Sequence, residues 1–260
     1  MVNLVDNFKN ELNIRSQFPK EIRSFRTDIY LSDRISLSAR IWLPVDAETS
    51  PVPAIIEYIP YRHRDYTALR DSMIHPWFAG HGYAAVRVDL RGSGDSQGVP
   101  MDEYVIQEQN DALEVLEWVS KRPWCSGKTG MIGISWGGFN ALQVAARRPP
   151  SLAAIITVCS TDDRYRDDVH YLGGCLISDN LTWGTLCYAN MLRPPDPEVV
   201  GSDWKRMWIE RIEKAPFPLL EWLSHPTRDH YWIHGSVCES YQEIQCPVFA
   251  VGGWADSYTN

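Results

Sequence analysis

The stretch Gly133-Ile134-Ser135-Trp136-Gly137, with Gly138 directly behind it, joins a hydroxyl nucleophile to the small residues that a sharp turn needs. The apolar run Thr129 to Ile134 before it predicts a strand, and Phe139 to Arg148 after it predicts a helix closed by Pro149-Pro150. Strand, strained turn and helix in that order are the setting of a nucleophile elbow. The helix N-terminus would also aim its free N–H groups at the serine. An incidental serine in a glycine-rich turn has the same letters, and only the flanking elements separate the two cases. A serine hydroxyl attacks poorly until a base takes its proton. The usual base is a histidine held in the right tautomer by a carboxylate.

In chain order such a fold gives Ser, then Asp or Glu, then His. Val248-Phe249-Ala250-Val251-Gly252-Gly253-Trp254-Ala255-Asp256 reads as a buried strand, a turn and an acid at its tip. Asp256 is therefore the candidate triad acid, with a solvated turn aspartate as the alternative. The seven histidines, His63, His75, His81, His170, His225, His230 and His234, all precede it, and four residues follow it. The triad histidine is thus missing from this sequence. Of the seven, His63 has the best case for standing in, because Tyr61 is close by. The expectation is an incomplete core, lacking its last strand. An inactive remnant or a binding module is the competing reading. An unpaired sheet edge would favour association, so a homo-oligomer is a possible state.

The elements that must position these residues alternate. Two strands are predicted around a turn at Ser32-Asp33 between Ser24 and Leu43, then strands over Ala54–Ile59 and Tyr83–Leu90. A helix is predicted over Asp102–Ser120 from Val105, Ala112, Leu113, Leu116 and Val119. The strand at Leu152–Val158 follows, and Cys246–Gly252 returns as a core strand. Strands interleaved with helices predict a mostly parallel sheet covered on both faces. Residues 161–245, rich in Trp, Tyr, Pro and Arg, break the pattern and hold short helical pieces such as Trp204–Lys214. We expect residues 1–160 and 246–260 to form the core and 161–245 a cap over the sheet's C-terminal edge, where α/β sheets bind ligands.

Composition narrows the classes. The 260 residues carry a net charge of −8, 44% hydrophobic and 22% charged residues, which is ordinary for a globular chain. The absence of a Lys/Arg-rich run argues against a nucleic-acid partner. The first residues, MVNLVDNFKNELNIR, lack the basic start and apolar stretch of a signal peptide, and no apolar run approaches ~20 residues. A cytoplasmic protein without a membrane partner is expected. None of the six cysteines forms a C-x-x-C pair, and Cys159 and Cys246 are expected as core thiols. Gly92-x-Gly94 lacks dinucleotide-loop spacing, so neither a cofactor nor a metal is expected. Asp162, Asp163, Asp167 and Asp168, mixed with Arg164 and Arg166, read as a self-paired surface segment.

Several ordered segments together resemble the acyl-esterase family of cocaine esterase, X-Pro dipeptidyl-peptidases and α-amino-acid ester hydrolases. They are Ile59-Pro60-Tyr61-Arg62, Asp89-Leu90-Arg91-Gly92-Ser93-Gly94-Asp95-Ser96, Arg122-Pro123-Trp124-Cys125-Ser126-Gly127-Lys128, the Ser135 turn, His225-Pro226-Thr227-Arg228-Asp229-His230-Tyr231-Trp232 and Gly252-Gly253-Trp254-Ala255-Asp256. The resemblance runs from about Phe25 to the last residue. It implies an α/β-hydrolase fold with a helical cap, without the family's C-terminal β-sandwich domain. It implies Ser135 as nucleophile, Asp256 as acid, and Tyr61 with the backbone N–H of Trp136 as oxyanion donors. Small-molecule esters or short peptides are the substrates it implies. It also gives Asp167 and Asp168 a sharper role, recognition of a substrate ammonium group.

Overall fold

The computed structural model describes residues 10, 11, 14 and 17–258. The N-terminal stretch read above for a targeting signal therefore lies largely outside the described residues. Nine strands and eight α-helices are seen among those described. The chain opens with the hairpin β1 (Ile22–Tyr30) and β2 (Ser36–Pro44), followed by β3 (Val52–Tyr58), α1 (Ala68–Gly80), β4 (Ala84–Val88), α2 (Ile106–Ser120), β5 (Cys125–Ile134), α3 (Trp136–Ala146) and β6 (Leu152–Val158). A small hairpin of β7 (Tyr171–Leu172) and β8 (Cys175–Leu176) precedes five short helices. These are α4 (Asp179–Met191), α5 (Pro197–Val200), α6 (Trp204–Lys214), α7 (Pro218–Ser224) and α8 (His230–Ile233), and β9 (Val248–Val251) closes the series.

The main sheet has the order β1-β2-β4-β3-β5-β6-β9. The first pairings, β1 with β2 and β2 with β4, are antiparallel, and the rest are parallel. Parallel neighbours need crossovers, which α1, α2 and α3 provide. β4 is buried along its whole length, as a central parallel strand should be. A single core joins Ile56 and Tyr58 of β3, Val86 and Val88 of β4, Val115 and Val119 of α2, and Phe139 and Val144 of α3.

The loops after β3, β4, β5, β6 and β9 all leave from one edge of the parallel part. They carry Tyr61, Asp89, Ser135, Cys159 and Asp256 respectively. Adjacent pairing of β3 with β5 brings the first and third of these loops side by side.

The structure corrects several expectations. α1 was not foreseen: its apolar residues lack helical spacing and Pro76 sits inside it. α2 starts at Ile106 rather than Asp102, because Tyr104 takes a left-handed φ of 59° and turns the chain just before it. α3 begins at Trp136, so Gly137 and Gly138 belong to its first turn rather than to the loop. β9 is not a core strand. It pairs with β6 alone among the described residues, and Phe249 is 65% exposed. Cys159 and Cys246 lie at the ends of these marginal strands and are half-buried rather than core thiols. The aspartates of 163–168 are not a surface segment: Asp163, Asp167 and Asp168 are buried under the chain that follows. All six cysteines are free.

Candidate active site

Ser135 sits in the turn between β5 and α3 with φ 52° and ψ −122°, a conformation an L-residue adopts only under strain. Its neighbours explain how the turn closes. A Cβ on Gly133 would lie 2.2 Å from the carbonyl carbon of Gly137, so only glycine lets strand and helix approach this closely. The N–H of Ser135 donates to Val158 of β6 at 2.9 Å, and its carbonyl accepts from Gly138 at 2.7 Å and Phe139 at 3.0 Å. These bonds hold the turn from both sides and start the helix.

Tyr61, three residues beyond β3, places its hydroxyl 3.3 Å from Ser135 Oγ. The same phenol receives the backbone N–H of Trp136, and burial holds it well above the usual tyrosine range. A neutral O–H and a backbone N–H thus converge beside the serine. Tyr61 is held by rings on two sides: Tyr66 and Trp183 meet it edge-on at centroid distances of 5.9 and 6.3 Å.

A second phenol, Tyr258, hydrogen-bonds Ser135 and donates to Asp168 Oδ1 at 3.3 Å. Asp168 Oδ1 accepts the N–H of Val169 at 2.7 Å, while its buried Oδ2 has no hydrogen-bond partner. Burial is the largest cause that pushes this carboxyl up to about 6. Behind it, His170 bonds Glu103 Oε2 at 2.8 Å and Asn180 Oδ1 at 2.9 Å. Oxygen partners on both ring nitrogens fit an imidazolium, and the Glu103 charge raises its pKa against the opposing effect of burial. Glu103 Oε1 in turn accepts the indole N–H of Trp183 at 2.5 Å. Asp167 accepts from Thr161 at 3.2 Å, within the same buried turn.

Asp256 is half-buried. Its carboxylate accepts the N–H of Tyr258 at 3.0 Å and meets the Cys159 thiol, not Ser135. The structure therefore brings Ser135, Tyr61 and Trp136 together, with Asp168 one phenol away and Asp256 to the side. Among the described residues no histidine hydrogen-bonds Ser135. His63 is bound to Ser38 at 3.2 Å and to Asp89, and burial lowers it to about 3, so it is no substitute base. Glu103, Trp183 and Tyr258 were not found by sequence reasoning, since each reaches the site by a long-range contact that no local pattern encodes.

The residues grouped closely enough to ligate a metal, Glu57, Asp71 and His75, are buried. Arg70 and Arg87 already neutralise both carboxylates, with closest contacts of 2.7 and 3.2 Å. No helix among the described residues is long and apolar enough to cross a membrane.

Comparison with known proteins adds to this geometry. A profile described as X-Pro dipeptidyl-peptidase (S15 family) matches residues 33–260. Cocaine esterase of Rhodococcus sp. (strain MB1 Bresler) is 27% identical over 253 residues, covering 88% of this chain and 43% of its own length. A putative Xaa-Pro dipeptidyl-peptidase of Streptomyces avermitilis is 27% identical over 201 residues, covering 62% and 29%. Among solved structures, a CocE/NonD family hydrolase from Staphylococcus aureus aligns with a TM-score of 0.68 at 22% identity, covering 88% of this chain and 40% of its own. An α-amino acid ester hydrolase aligns with a TM-score of 0.64 at 19% identity, covering 94% and 46%. These structures share the α/β-hydrolase fold with the chain. The chain spans less than half the length of the relatives it matches.

Proposed function

Because the chain belongs to the X-Pro dipeptidyl-peptidase (S15) family, we propose that it carries the nucleophile and oxyanion hole of a serine hydrolase acting on carboxylic esters. The observation that carries this reading is the Tyr61 hydroxyl, 3.3 Å from an Oγ that strained backbone presents at a helix start. In this reading Ser135 attacks the ester carbonyl and its proton passes to a base. The carbonyl oxygen gains negative charge against the Tyr61 O–H and the Trp136 N–H. Collapse expels the alcohol and leaves an acyl-serine, which water then hydrolyses. Asp256 is the proposed acid that orients the base. Among the described residues no histidine hydrogen-bonds Ser135, so this reading leaves the base unassigned. Residues 161–245 are proposed to cover the site.

The experiment is labelling by a fluorophosphonate, with peptide mapping of the adduct, on the protein expressed from its complete gene. An adduct on Ser135 supports the reading. A folded protein that takes up no label there is an inactive remnant or a binding module instead.

A second reading, cleavage of X-Pro dipeptides or α-amino-acid esters, is favoured by Asp168. Its Oδ1 meets Tyr258, which bonds Ser135, and its buried Oδ2 accepts no hydrogen bond, with the His170 ring 3.9 Å away, so the carboxylate has capacity left for a substrate ammonium group. A charge-assisted bond of ~1.5–3 kcal/mol corresponds to roughly a 10- to 100-fold preference for free-amine over N-acetylated substrates. Asp168→Asn should remove that preference. The carboxyl is raised to about 6, so the charge that binds the amine is present above that pH and lost below it. The preference should therefore fall as pH drops through 6 in kcat/KM profiles for the two substrates. Equal rates for both at pH 7.5 would leave the simple esterase reading alone.

A further inference from the structure

We propose that Glu108 is a positioning residue for the oxyanion hole, holding Trp136 and the end of β3 in one bracket. The inference rests on the acyl-transfer reading of Ser135 but concerns a residue that touches no substrate.

Glu108 lies in the first turn of α2 and is 7% exposed. Its Oε1 accepts the indole N–H of Trp136 at 2.6 Å, and its Oε2 accepts the backbone N–H of Tyr104 at 3.1 Å. The Glu108 carbonyl accepts the Tyr58 hydroxyl at 3.2 Å. Tyr58 closes β3, three residues before Tyr61, and its own carbonyl accepts the Asn140 amide of α3 at 3.2 Å. One residue of α2 thus reaches both segments that supply the converging donors.

The indole is the lever. Trp136 is the first residue of α3, and its backbone N–H points at the Tyr61 phenol. Ring and amide share one Cα, so fixing the indole limits how that peptide plane can rotate. The Tyr104 ring, stacked on Phe139 at 4.9 Å, meets the indole edge-on at 5.5 Å and blocks the other side.

The cost of this arrangement also points to a role. The nearby arginine, Arg91, is already paired with Asp33 and Asp111, each at 2.7 Å, which leaves the Glu108 carboxyl facing the Trp136 indole, the Tyr104 N–H and the Asn140 amide. A buried carboxyl without a cation is expensive, and an apolar side chain of the same size would pack without that penalty. What an apolar residue cannot do is accept both the indole and the Tyr104 N–H. Donors to a developing oxyanion work only at fixed geometry, and a misplacement of about 1 Å can cost ~100-fold in rate.

The test uses phosphonylation kinetics of Ser135 in the protein expressed from its complete gene. Glu108→Gln keeps size but offers one acceptor where two are needed. Trp136→Phe keeps the backbone N–H but removes the indole bond. Each should lower the maximal labelling rate by ~10-fold, leaving the inhibitor concentration for half-maximal rate within twofold. The double variant should lose no more than either single one, because both remove the same contact. An unchanged rate in Glu108→Gln, or losses that multiply to ~100-fold, overturns the proposal. If the wild-type protein takes no label, the acyl-transfer reading has failed. The bracket is then judged by the indole N–H resonance of Trp136, assigned by its loss in Trp136→Phe. A resonance that does not move in Glu108→Gln overturns it.

Discussion

Ser135→Ala, made in the protein expressed from its complete gene, is expected to lower kcat for a p-nitrophenyl ester by ~10⁶-fold. The hydroxyl is the only atom removed. The turn, the Val158 bond and the helix start depend on the backbone of Ser135 and stay in place. Some catalysis over the uncatalysed reaction should survive, because bound ester still meets the Tyr61 and Trp136 donors. Residual rates of ~10³–10⁴ over water are typical of such a remnant. Binding should change little, so KM is expected to stay within a few-fold. A variant that keeps a tenth of the wild-type kcat would remove Ser135 from the mechanism, and the esterase reading with it.

Tyr61→Phe is expected to lower kcat by ~10²–10³-fold, the effect of deleting one oxyanion donor. The substitution leaves the ring, and hence the edge contacts with Tyr66 and Trp183. Only the O–H beside Ser135 is lost. Burial raises the phenol pKa, so it is a neutral donor at the pH of the assay. A boronic acid that adds to the serine mimics the charged intermediate, whereas the product acid does not. The variant should bind the boronate far more weakly and the product acid almost unchanged. Equal losses for the two ligands would mean that Tyr61 packs against substrate rather than stabilising charge.

Ser135 and its setting could be read from the letters because the turn is local. Gly133 and Gly137 are needed within five residues of each other, and strand and helix flank them directly. Trp204–Lys214 was legible for the same reason, its periodicity being complete in eleven residues. Tyr61 was different. It lies 74 residues before the serine and comes beside it because β3 and β5 are neighbours, and only the resemblance had linked the two residues. The aspartates of 163–168 misled because mixed charges usually mean solvent. Here the chain from α7 onward lies over them, with Arg228 paired to Asp163 and Ser236 accepting the N–H of Arg164 from far along the sequence. β9 misled in the opposite sense. An apolar run looks internal whether or not anything lies beside it, and among the described residues β9 pairs with β6 alone.

The segment 161–245 is fastened to the sheet by buried polar bonds. Glu103 holds His170 and Trp183, and Arg62 grips the carbonyls of Arg193 and Pro194. Arg211 grips those of Gly94 and Ser96, and Asp102 receives Trp222 and Tyr231. At ~1.5–3 kcal/mol for a hydrogen bond to a charged group, parting two such contacts would cost roughly 3–6 kcal/mol, an opened population below about one molecule in a hundred. The segment therefore moves with the core as one body, and its backbone amides are expected to exchange with solvent at rates set by opening of the core rather than of a loop.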